Sequence, residues 1–427
     1  MRLSLRSIGK INTADIDIIG ISVIAGANDT GKNNVGNVLY SVFNSFYRID
    51  SQIEKERAAS IERVIRFAQR SIDSYRSFDS LRTRTIRELS SGFVKKDAGY
   101  TQNQEKIEKK IMTIIEPEEA GSDITGSSLT VKQIASRIFN ILNIPDKEIF
   151  KTVLSKKLAN EFDNQINNIY NDQPGRIILK IRDTEIIADL EDNRVTNLSN
   201  QIPLNTQAIY IVDPFILDEQ SMFGIIPTAY IYQNHRDHLK EILFTSRPEN
   251  SVIEQIITAD KLRNIYARIN LICDGELIKD KLSAFTYQKT GLDKALNLRN
   301  MSTVLYTFAI LKTLLQNGFF EEKGTISLDE PEIHLHPEWQ LAFAELIVLL
   351  QRDFNMHILL TTHSPYFLHA LEVYADKYKI KGKCRYYLAT CKDNSAIIKD
   401  VSENIDLIYE KLAKPLQKLE NIWHDDE

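Results

Sequence analysis

The sequence predicts an α/β fold with a mixed, mainly parallel sheet, and two observations support this fold class. Short apolar runs typical of buried strands alternate with longer segments that have the periodicity of amphipathic helices. One such run, residues 21–25, leads directly into a glycine-containing loop, and a helix with Val35, Leu39 and Phe43 at helical spacing follows. Because the N-terminus of a helix attracts anions, this order of elements predicts a phosphate site.

Strands are predicted on both sides of a long helical segment. They cover residues 3–8, 16–19, 21–25, 176–181, 185–190, 208–212, 325–328 and 357–360, and a helix covers 305–315. The two runs that flank Asp183 and Thr184 predict a hairpin. Residues 49–172 are charged and helical in character. We therefore predict a large helical insertion that separates residues 1–48 from residues 173–427, the two parts of one α/β domain.

Composition and charge limit the class of protein. The 427 residues are enough for two or three domains, or for one nucleotide-binding domain with a large insertion. The net charge of −5 gives no overall basic character, so any nucleic-acid surface must be local. Cys273, Cys384 and Cys391 have no metal-binding or disulfide spacing. The first residues lack a signal sequence and no apolar run approaches ~18 residues, so a cytoplasmic protein without membrane contact is expected.

Residues 26–32 match a phosphate-binding pattern, and the next residue departs from it. In that pattern backbone N–H groups surround the phosphates, a lysine reaches the terminal phosphates, and the hydroxyl that follows holds Mg²⁺. Gly26, Gly31 and Lys32 have the required spacing, but Asn33 stands at the hydroxyl position. An ordinary glycine-containing turn is the alternative interpretation of so short a motif. The pattern nevertheless favours a nucleotide site whose metal position is altered.

A second group of polar residues follows two other predicted strands. Asp329 and Glu330 come directly after the strand at 325–328, and His363 comes shortly after the strand at 357–360. In nucleotide hydrolysis one carboxylate positions Mg²⁺ and another polarises the attacking water. A histidine can donate a hydrogen bond to the terminal phosphate. An Asp-Glu pair alone is usually just the start of a loop, but its place between the phosphate loop and His363 favours a nucleotide-hydrolysis site.

Together these residues resemble the ABC-type ATPase heads of the RecF/SMC/OLD class. Residues 328–337 are similar to the Walker B region of that class, and residues 362–365 are similar to its switch-histidine segment. The resemblance covers roughly residues 1–45 and 205–400, and it says little about the central segment. It implies an ABC-type P-loop NTPase head with a large helical insertion, which binds ATP and Mg²⁺. It also implies that the heads form a homodimer or higher oligomer with nucleotide between them.

The resemblance further implies roles for individual residues. Those that would contact the nucleotide are Gly26, Asn28, Gly31, Lys32, Asn33, Asn34 and Ser302. Asp329 and Asn33 would bind the metal, while Glu330 would activate water and His363 would sense the γ-phosphate. Ser302 belongs to the best match to the signature loop, which contacts nucleotide held by the opposite subunit. Val304 stands at the glycine position of that loop, and Asn34 stands where the class commonly has Thr.

These departures predict that binding survives better than hydrolysis. The side-chain oxygen of Asn33 could ligate Mg²⁺, but the longer side chain must refit a tight octahedral site. The β-branched Val304 would crowd the close approach that glycine permits. Lys32 and the backbone donors remain, so the loop should still bind phosphates. Because hydrolysis depends on more exact placement of the metal, we expect slow or absent turnover.

The resemblance suggests two hypotheses for the function, and an arginine-rich segment suggests a third, a non-enzymatic DNA-binding protein. Stand-alone heads of this kind resemble the ATPases of bacterial anti-phage systems, Septu-type or retron-associated. These act with a separate nuclease effector, often an HNH nuclease, or with a reverse transcriptase complex. The first hypothesis is therefore an ATP-binding scaffold that restrains or positions such an effector. The alternative is an active SMC/RecF-like ATPase in DNA repair or DNA remodelling.

The third hypothesis is a protein that contacts DNA or RNA through an arginine-rich segment. Clustered arginines suit phosphate recognition. Acidic residues interleave with them, however, which is typical of a solvated helix face. Both interpretations remain open for this segment. Its arginines are Arg57, Arg63, Arg66, Arg70, Arg76, Arg82, Arg84 and Arg87.

Overall fold

A computed structural model describes residues 1–72, 80–95, 99–112, 130–200, 202–218, 234–245, 252–279 and 285–425. The described residues form two compact units, an α/β unit from residues 1–47 and from residue 154 onward, and a helical unit within residues 48–153. The boundaries proposed for the insertion, residues 49 and 172, stay a prediction. The loop expected around residues 120–128 lies outside the described residues.

Fourteen strands are described in the α/β unit. They are β1 Arg2–Ile8, β2 Ile11–Asp17, β3 Ile21–Gly26, β4 Gly175–Ile181, β5 Thr184–Glu191, β6 Arg194–Leu198, β7 Ala208–Ile211, β8 Glu276–Lys279, β9 Phe285–Gln288, β10 Leu296–Asn297, β11 Thr325–Leu328, β12 His357–Thr362, β13 Cys384–Lys392 and β14 Ser395–Asp400. Eleven of them form one sheet in the order β6-β5-β4-β1-β2-β14-β13-β3-β12-β11-β7, and β8, β9 and β10 form a small second sheet.

The helices are described in the same chain order. They are α1 Asn33–Phe46, α2 Ile49–Ile72, α3 Ser80–Val94, α4 Gln104–Met112, α5 Val131–Leu142, α6 Asp146–Glu161, α7 His235–Phe244, α8 Val252–Asn270, α9 Thr303–Gln316, α10 Pro337–Phe354, α11 Pro365–Lys377 and α12 Asp406–Asp425. In the described part of the chain, no helix is long and apolar enough to cross a membrane.

The large sheet has a parallel part and an antiparallel part. Strands β13, β3, β12, β11 and β7 are parallel neighbours, whereas β6, β5, β4, β1 and β2 pair antiparallel. Strand β14 joins the two parts, because it is parallel to β2 and antiparallel to β13. The predicted fold class, an α/β fold with a mixed sheet, is confirmed.

Most of the predicted strands lie where the sequence places them, including the β4–β5 hairpin. The strand expected at 16–19 is wrong in its bounds, because β2 begins at Ile11 and ends at Asp17. This strand buries Ile11, Ala14 and Ile16 and leaves its other four residues partly exposed. Such alternation of buried and partly exposed residues is typical of a strand with one face in solvent. A strand of this kind is not found by searching for a continuous apolar run.

The core of the α/β unit surrounds the middle of the sheet. Every residue of β3 is buried, as expected for a central parallel strand covered on both faces. The main apolar cluster contains Val23, Ile326 and Leu360 of three neighbouring parallel strands, together with side chains from α9, α10 and α11. The helical unit has a separate core that includes Ile61, Phe93 and Ile138. The phosphate loop thus starts from a fully buried strand in the interior of the sheet.

Candidate nucleotide site

The phosphate loop connects β3 to α1, and its two glycines are required by the backbone. A Cβ atom at Gly26 would lie 2.6 Å from the carbonyl oxygen of Ala389 on β13. Gly31 has a φ of +66°, in the left-handed region, and a Cβ there would lie 2.9 Å from the Cβ of Lys10. Glycine is the residue that accepts both situations without strain. The predicted loop is therefore formed by a tight turn from the strand into the helix.

Lys32 stands at the start of α1, and its side chain is almost fully buried. Its Nζ donates to the carbonyl oxygens of Ala27 at 3.0 Å and Gly26 at 3.4 Å. The same ammonium lies 3.6 Å from Oε1 of Glu330 and 3.2 Å from Nε2 of His363. Burial lowers the pKa of Lys32, although the charges of nearby carboxylates act in the opposite direction. The loop lysine thus lies beside both predicted catalytic side chains.

Asp329 and Glu330 follow β11, and a threonine of β12 links them. The hydroxyl of Thr361 donates to Oδ1 of Asp329 at 2.5 Å and accepts a hydrogen bond from the backbone N–H of Glu330 at 3.0 Å. Asp329 is buried, and burial raises its pKa against the effect of the Thr361 hydrogen bond. Parallel pairing of β11 with β12 therefore fixes the position of both carboxylates.

His363 follows β12 and connects the phosphate loop to Glu330. Its Nδ1 lies 2.7 Å from the carbonyl oxygen of Gly26. A carbonyl oxygen can only accept, so Nδ1 carries a proton, and Nε2 faces Glu330 and Lys32. Nε2 contacts Oε1 of Glu330 directly. Burial alone would raise the pKa of Glu330, but the hydrogen bond and charge of His363, together with Lys32, outweigh burial and lower it.

Glu332 is a residue of this site that the sequence reasoning missed. Its Oε1 accepts hydrogen bonds from the hydroxyl of Thr362 and from the backbone N–H of His363, the latter at 3.0 Å. Its Oε2 is buried and has no hydrogen-bond partner among the described residues. Glu332 thereby ties the segment after β11 to the segment that carries His363. A third carboxylate within the same short tract was the signal that could have found it.

The other four predicted contact residues differ in their exposure. Asn28, Asn33 and Ser302 are exposed, and Asn34 is partly buried. The backbone carbonyl of Asn33 accepts a hydrogen bond from the hydroxyl of Tyr210 at 3.3 Å. Ser302 directly precedes α9, as expected for a signature loop, and the nearby Val304 packs against the main core. The roles assigned to these four residues stay predictions.

The chemistry of these side chains suits Mg²⁺. Carboxylate oxygens of Asp329 and Glu330 and the amide oxygen of Asn33 are hard donors, which this ion prefers. Asp329 is buried and its pKa is raised, so a cation would restore the ionised form that burial disfavours. Asp329 is thus the residue best suited to hold the ion. Bound there with ATP, the ion would neutralise phosphate charge.

The arginine-rich segment lies in the helical unit, and its described side chains are paired. Arg57 contacts Asp146 at 2.7 Å, Arg63 contacts Glu56 at 3.4 Å, and both Arg66 and Arg87 contact Glu62, at 2.7 and 3.6 Å. Arg76 lies outside the described residues, and the side chains of Arg70, Arg82 and Arg84 are not described. The described pairs favour the solvated helix face over a phosphate-binding surface.

The sequence also matches a known protein family. The model of the AAA ATPase domain family matches residues 2–368, which include the phosphate loop, Asp329, Glu330 and His363. The chain belongs to this AAA ATPase domain family. Membership agrees with the convergence of the loop lysine, the two carboxylates and the histidine.

Three solved structures of SMC heads have a similar arrangement of elements. The SMC head domain from Thermotoga maritima is 12% identical, with 94% of this chain and 98% of that chain covered and a TM-score of 0.35. An SMC head bound to the C-terminal winged-helix domain of ScpA is 11% identical over 95% and 98%, with a TM-score of 0.42. A head with an extended coiled coil, bound to the C-terminal domain of ScpA and derived from Pyrococcus furiosus, is 10% identical over 99% and 98%, with a TM-score of 0.38.

Proposed function

We propose that this AAA ATPase domain protein is an ATP-binding scaffold that holds its nucleotide and hydrolyses it slowly or not at all. The observation that carries the proposal is the meeting of Lys32, Glu330 and His363 at the ends of β3, β11 and β12. These groups surround the position where the terminal phosphate of a nucleotide on the loop would lie. A lysine, a carboxylate and a histidine in one place match the requirements of phosphoryl chemistry.

Each side chain has a distinct task in this proposal. Lys32 and the N-terminus of α1 bind the phosphates through charge and backbone donors. Glu330 is ionised, because its pKa is lowered, and can accept a hydrogen bond from an attacking water. His363 is held by Gly26 and Glu332, so its Nε2 is directed toward the terminal phosphate and toward Glu330. In this proposal the departures from a hydrolytic site are Asn33 at the metal position and Val304 in the signature loop.

Asn33 is the reason that we propose slow turnover. It occupies the first position of α1, where related phosphate loops present a hydroxyl to the metal. Its exposed amide is longer than a hydroxyl and less suited to a small octahedral ion. Phosphate binding depends on Lys32 and the loop backbone and so does not need this hydroxyl. Nucleotide residence is thus favoured over turnover.

The biological part of the proposal rests on the resemblance of the motifs. We propose that two heads associate around ATP, with Ser302 of one head facing the loop of the other. The dimer would restrain or position a separate nuclease effector, or a reverse transcriptase complex, in bacterial anti-phage defence. The exposed position of Ser302 at the start of α9 is compatible with contact to a second head.

One set of measurements tests the nucleotide site. Calorimetry with ATP and Mg²⁺ should show binding by the wild type and its loss in Lys32→Ala. Phosphate release should be slow in the wild type, and Asn33→Thr should raise kcat on the order of tenfold, because a hydroxyl returns to the metal position. Asn37→Thr, the same change one turn along α1, should not raise kcat.

The same variants also separate the alternatives. Fast wild-type hydrolysis that Glu330→Gln abolishes would contradict the slow-turnover proposal and favour an active DNA-repair or remodelling ATPase. If the wild type binds no ATP although Lys32 is intact, the nucleotide site itself is refuted. Sedimentation of Glu330→Gln with ATP should show association of heads, and a monomer under these conditions would argue against the scaffold.

A further inference from the structure

An exposed aromatic side chain lies close to the phosphate loop and is used by none of the roles assigned above. Tyr170 is 46% exposed, and its neighbour Ile169 is 63% exposed. Two adjacent apolar side chains on an open surface of the α/β unit indicate a ligand contact more readily than a single one. They belong to the segment between α6 and β4, which the sequence motifs do not cover.

This segment is held firmly by its backbone. The carbonyl oxygen of Ile166 accepts from the N–H of Gly9 at 2.7 Å, and the N–H of Asn168 donates to the carbonyl oxygen of Ser7 at 3.0 Å. The buried side chain of Asn168 accepts from the N–H of Tyr170 at 2.7 Å. These hydrogen bonds hold the backbone at Tyr170 in place. Less conformational entropy is therefore lost when its side chain binds a ligand.

Lys10 connects Tyr170 to the phosphate loop. Its Cβ lies 2.9 Å from the position that a Cβ of Gly31 would take. Its ammonium contacts the carboxylate of Asp29 at 2.5 Å and lies 6.0 Å from the centre of the Tyr170 ring. One lysine side chain therefore spans the space from the glycine loop to the tyrosine. Asp29 is itself in the loop, and its side chain is 84% exposed.

From this arrangement we infer that Tyr170 and Ile169 form the platform for the base of the nucleotide whose phosphates bind to the loop. This inference rests on the proposed function and names a second contact of the same ligand. In a nucleoside triphosphate, a ribose separates the base from the phosphates. In the protein, the side chain of Lys10 separates Tyr170 from Gly31 of the loop. An aromatic ring offers a stacking surface to any base. Asp29 and Lys10 add an acceptor and a donor for groups at the edge of the base.

The experiment compares ATP with inorganic tripolyphosphate, which has the phosphates without the base. Tyr170→Ala should weaken ATP binding roughly tenfold, because stacking on an aromatic ring is lost, and should leave tripolyphosphate binding unchanged. Tyr170→Phe keeps the ring and should bind ATP as the wild type does. Lys32→Ala should weaken both ligands. Phe67→Ala, which removes an exposed aromatic of the helical unit, should change neither.

A second variant reports the stacking directly. In Tyr170→Trp, ATP should quench the fluorescence of the added indole, and tripolyphosphate should not. The wild type, with its two native tryptophans, gives the background response to each ligand. Equal responses to the two ligands would overturn the inference, as would a Tyr170→Ala variant that loses both ligands or neither. If Lys32→Ala still abolishes ATP binding in those cases, the proposed function stands without the platform. If the wild type binds neither ligand, both proposals fail.

Discussion

The two carboxylate oxygens of Glu332 differ in their hydrogen bonding. Oε1 accepts two hydrogen bonds, from Thr362 and from the backbone of His363, while Oε2 is buried and no described residue donates to it. Burial raises the pKa of Glu332 above its ordinary value of 4.5, and the hydrogen bonds oppose this shift only in part. The carboxyl group of Glu332 thus holds the segment that carries His363, although burial disfavours its charged form.

Glu332→Gln should remove the destabilising effect of a buried negative charge and keep the two hydrogen bonds. A raised folded pKa means that the folded state binds more protons, so wild-type stability falls as pH rises from 4.5 through the raised value. The amide oxygen of glutamine can still accept both hydrogen bonds and carries no charge. The Tm of the variant minus that of the wild type should therefore grow between pH 4.5 and 7, as followed by thermal denaturation.

A matched variant controls for loss of a carboxylate in general. Glu338 is exposed in the first turn of α10, so Glu338→Gln should give a Tm difference that changes little over the same pH range. A difference for Glu332→Gln that stays constant or shrinks with pH would refute the account of its burial.

The sequence was sufficient to predict the site residues that follow strands. It was insufficient to predict the residues that act through tertiary contacts. Lys32, Asp329 and His363 follow short apolar runs, and parallel strands bring their carboxyl ends to one edge of the sheet. Thr361 looks like any other strand residue until β11 and β12 are paired. Tyr170 precedes no motif, and its place beside Lys10 depends on a contact between segments that are distant in the chain.

Among the elements, α1 is joined to α6 and β7 through buried polar groups. The side chain of Asn44 makes two hydrogen bonds with the backbone of Ala208, its Nδ2 donating at 2.8 Å and its Oδ1 accepting at 2.9 Å. The ammonium of Lys157 donates to the backbone carbonyl of Asn44 at 2.8 Å. Burial lowers the pKa of Lys157 to about 8, and the charge of Glu161 only partly opposes this effect. The end of the helix that begins at the phosphate loop is thus fixed by a buried lysine.

Lys157→Met should remove a pH dependence of stability. Between about 8 and the ordinary value of 10.5, the unfolded chain binds the proton of Lys157 and the folded chain does not, so wild-type stability rises with pH in that window. The rise attributable to this group is roughly 3 kcal/mol, since one pKa unit corresponds to about 1.4 kcal/mol. Urea unfolding at several pH values should therefore show the wild type gaining stability relative to the variant.

The neighbouring lysine provides the control for this measurement. Lys156 is exposed on the same helix, and Lys156→Met should keep the wild-type pH dependence. A parallel pH response of wild type and Lys157→Met would show that the lysine titrates as it does in water.

Element prediction failed where the pattern was polar. β2 alternates buried and partly exposed residues, and the apolar pair Ile18 and Ile19 lies beyond its end. The sequence favoured that pair because a run of isoleucines is typical of a buried strand. Pairing with β1 on one side and β14 on the other decides the true bounds, and neither pairing can be read from a local window.

For the whole molecule, the pairing of arginines in the helical unit predicts weak interaction with nucleic acid. Arg66 makes two hydrogen bonds to Glu62 at 2.8 and 2.7 Å, and Arg63 contacts Glu56. Arginines engaged by carboxylates release few counterions from DNA. The double variant Arg63→Ala, Arg66→Ala should therefore bind a labelled duplex as the wild type does, measured by fluorescence anisotropy at two salt concentrations.

Glu62→Ala is the matched variant for this experiment. It frees Arg66 and Arg87, so it should increase duplex binding and its salt dependence. A fall in affinity and in salt dependence for the double arginine variant would instead support the nucleic-acid surface.

The central position of β3 determines when the nucleotide site can form. Its two edges pair with β12 and β13, so residues 21–26 meet partners that are more than three hundred positions later in the chain. During synthesis the loop strand has no partner at either edge until residues 358–362 have been made, and its second edge has none until residues 384–389 have been made. Such distant contacts slow folding and leave apolar edges open to aggregation. The phosphate loop, one of the first segments to be translated, is therefore among the last to acquire its final surroundings.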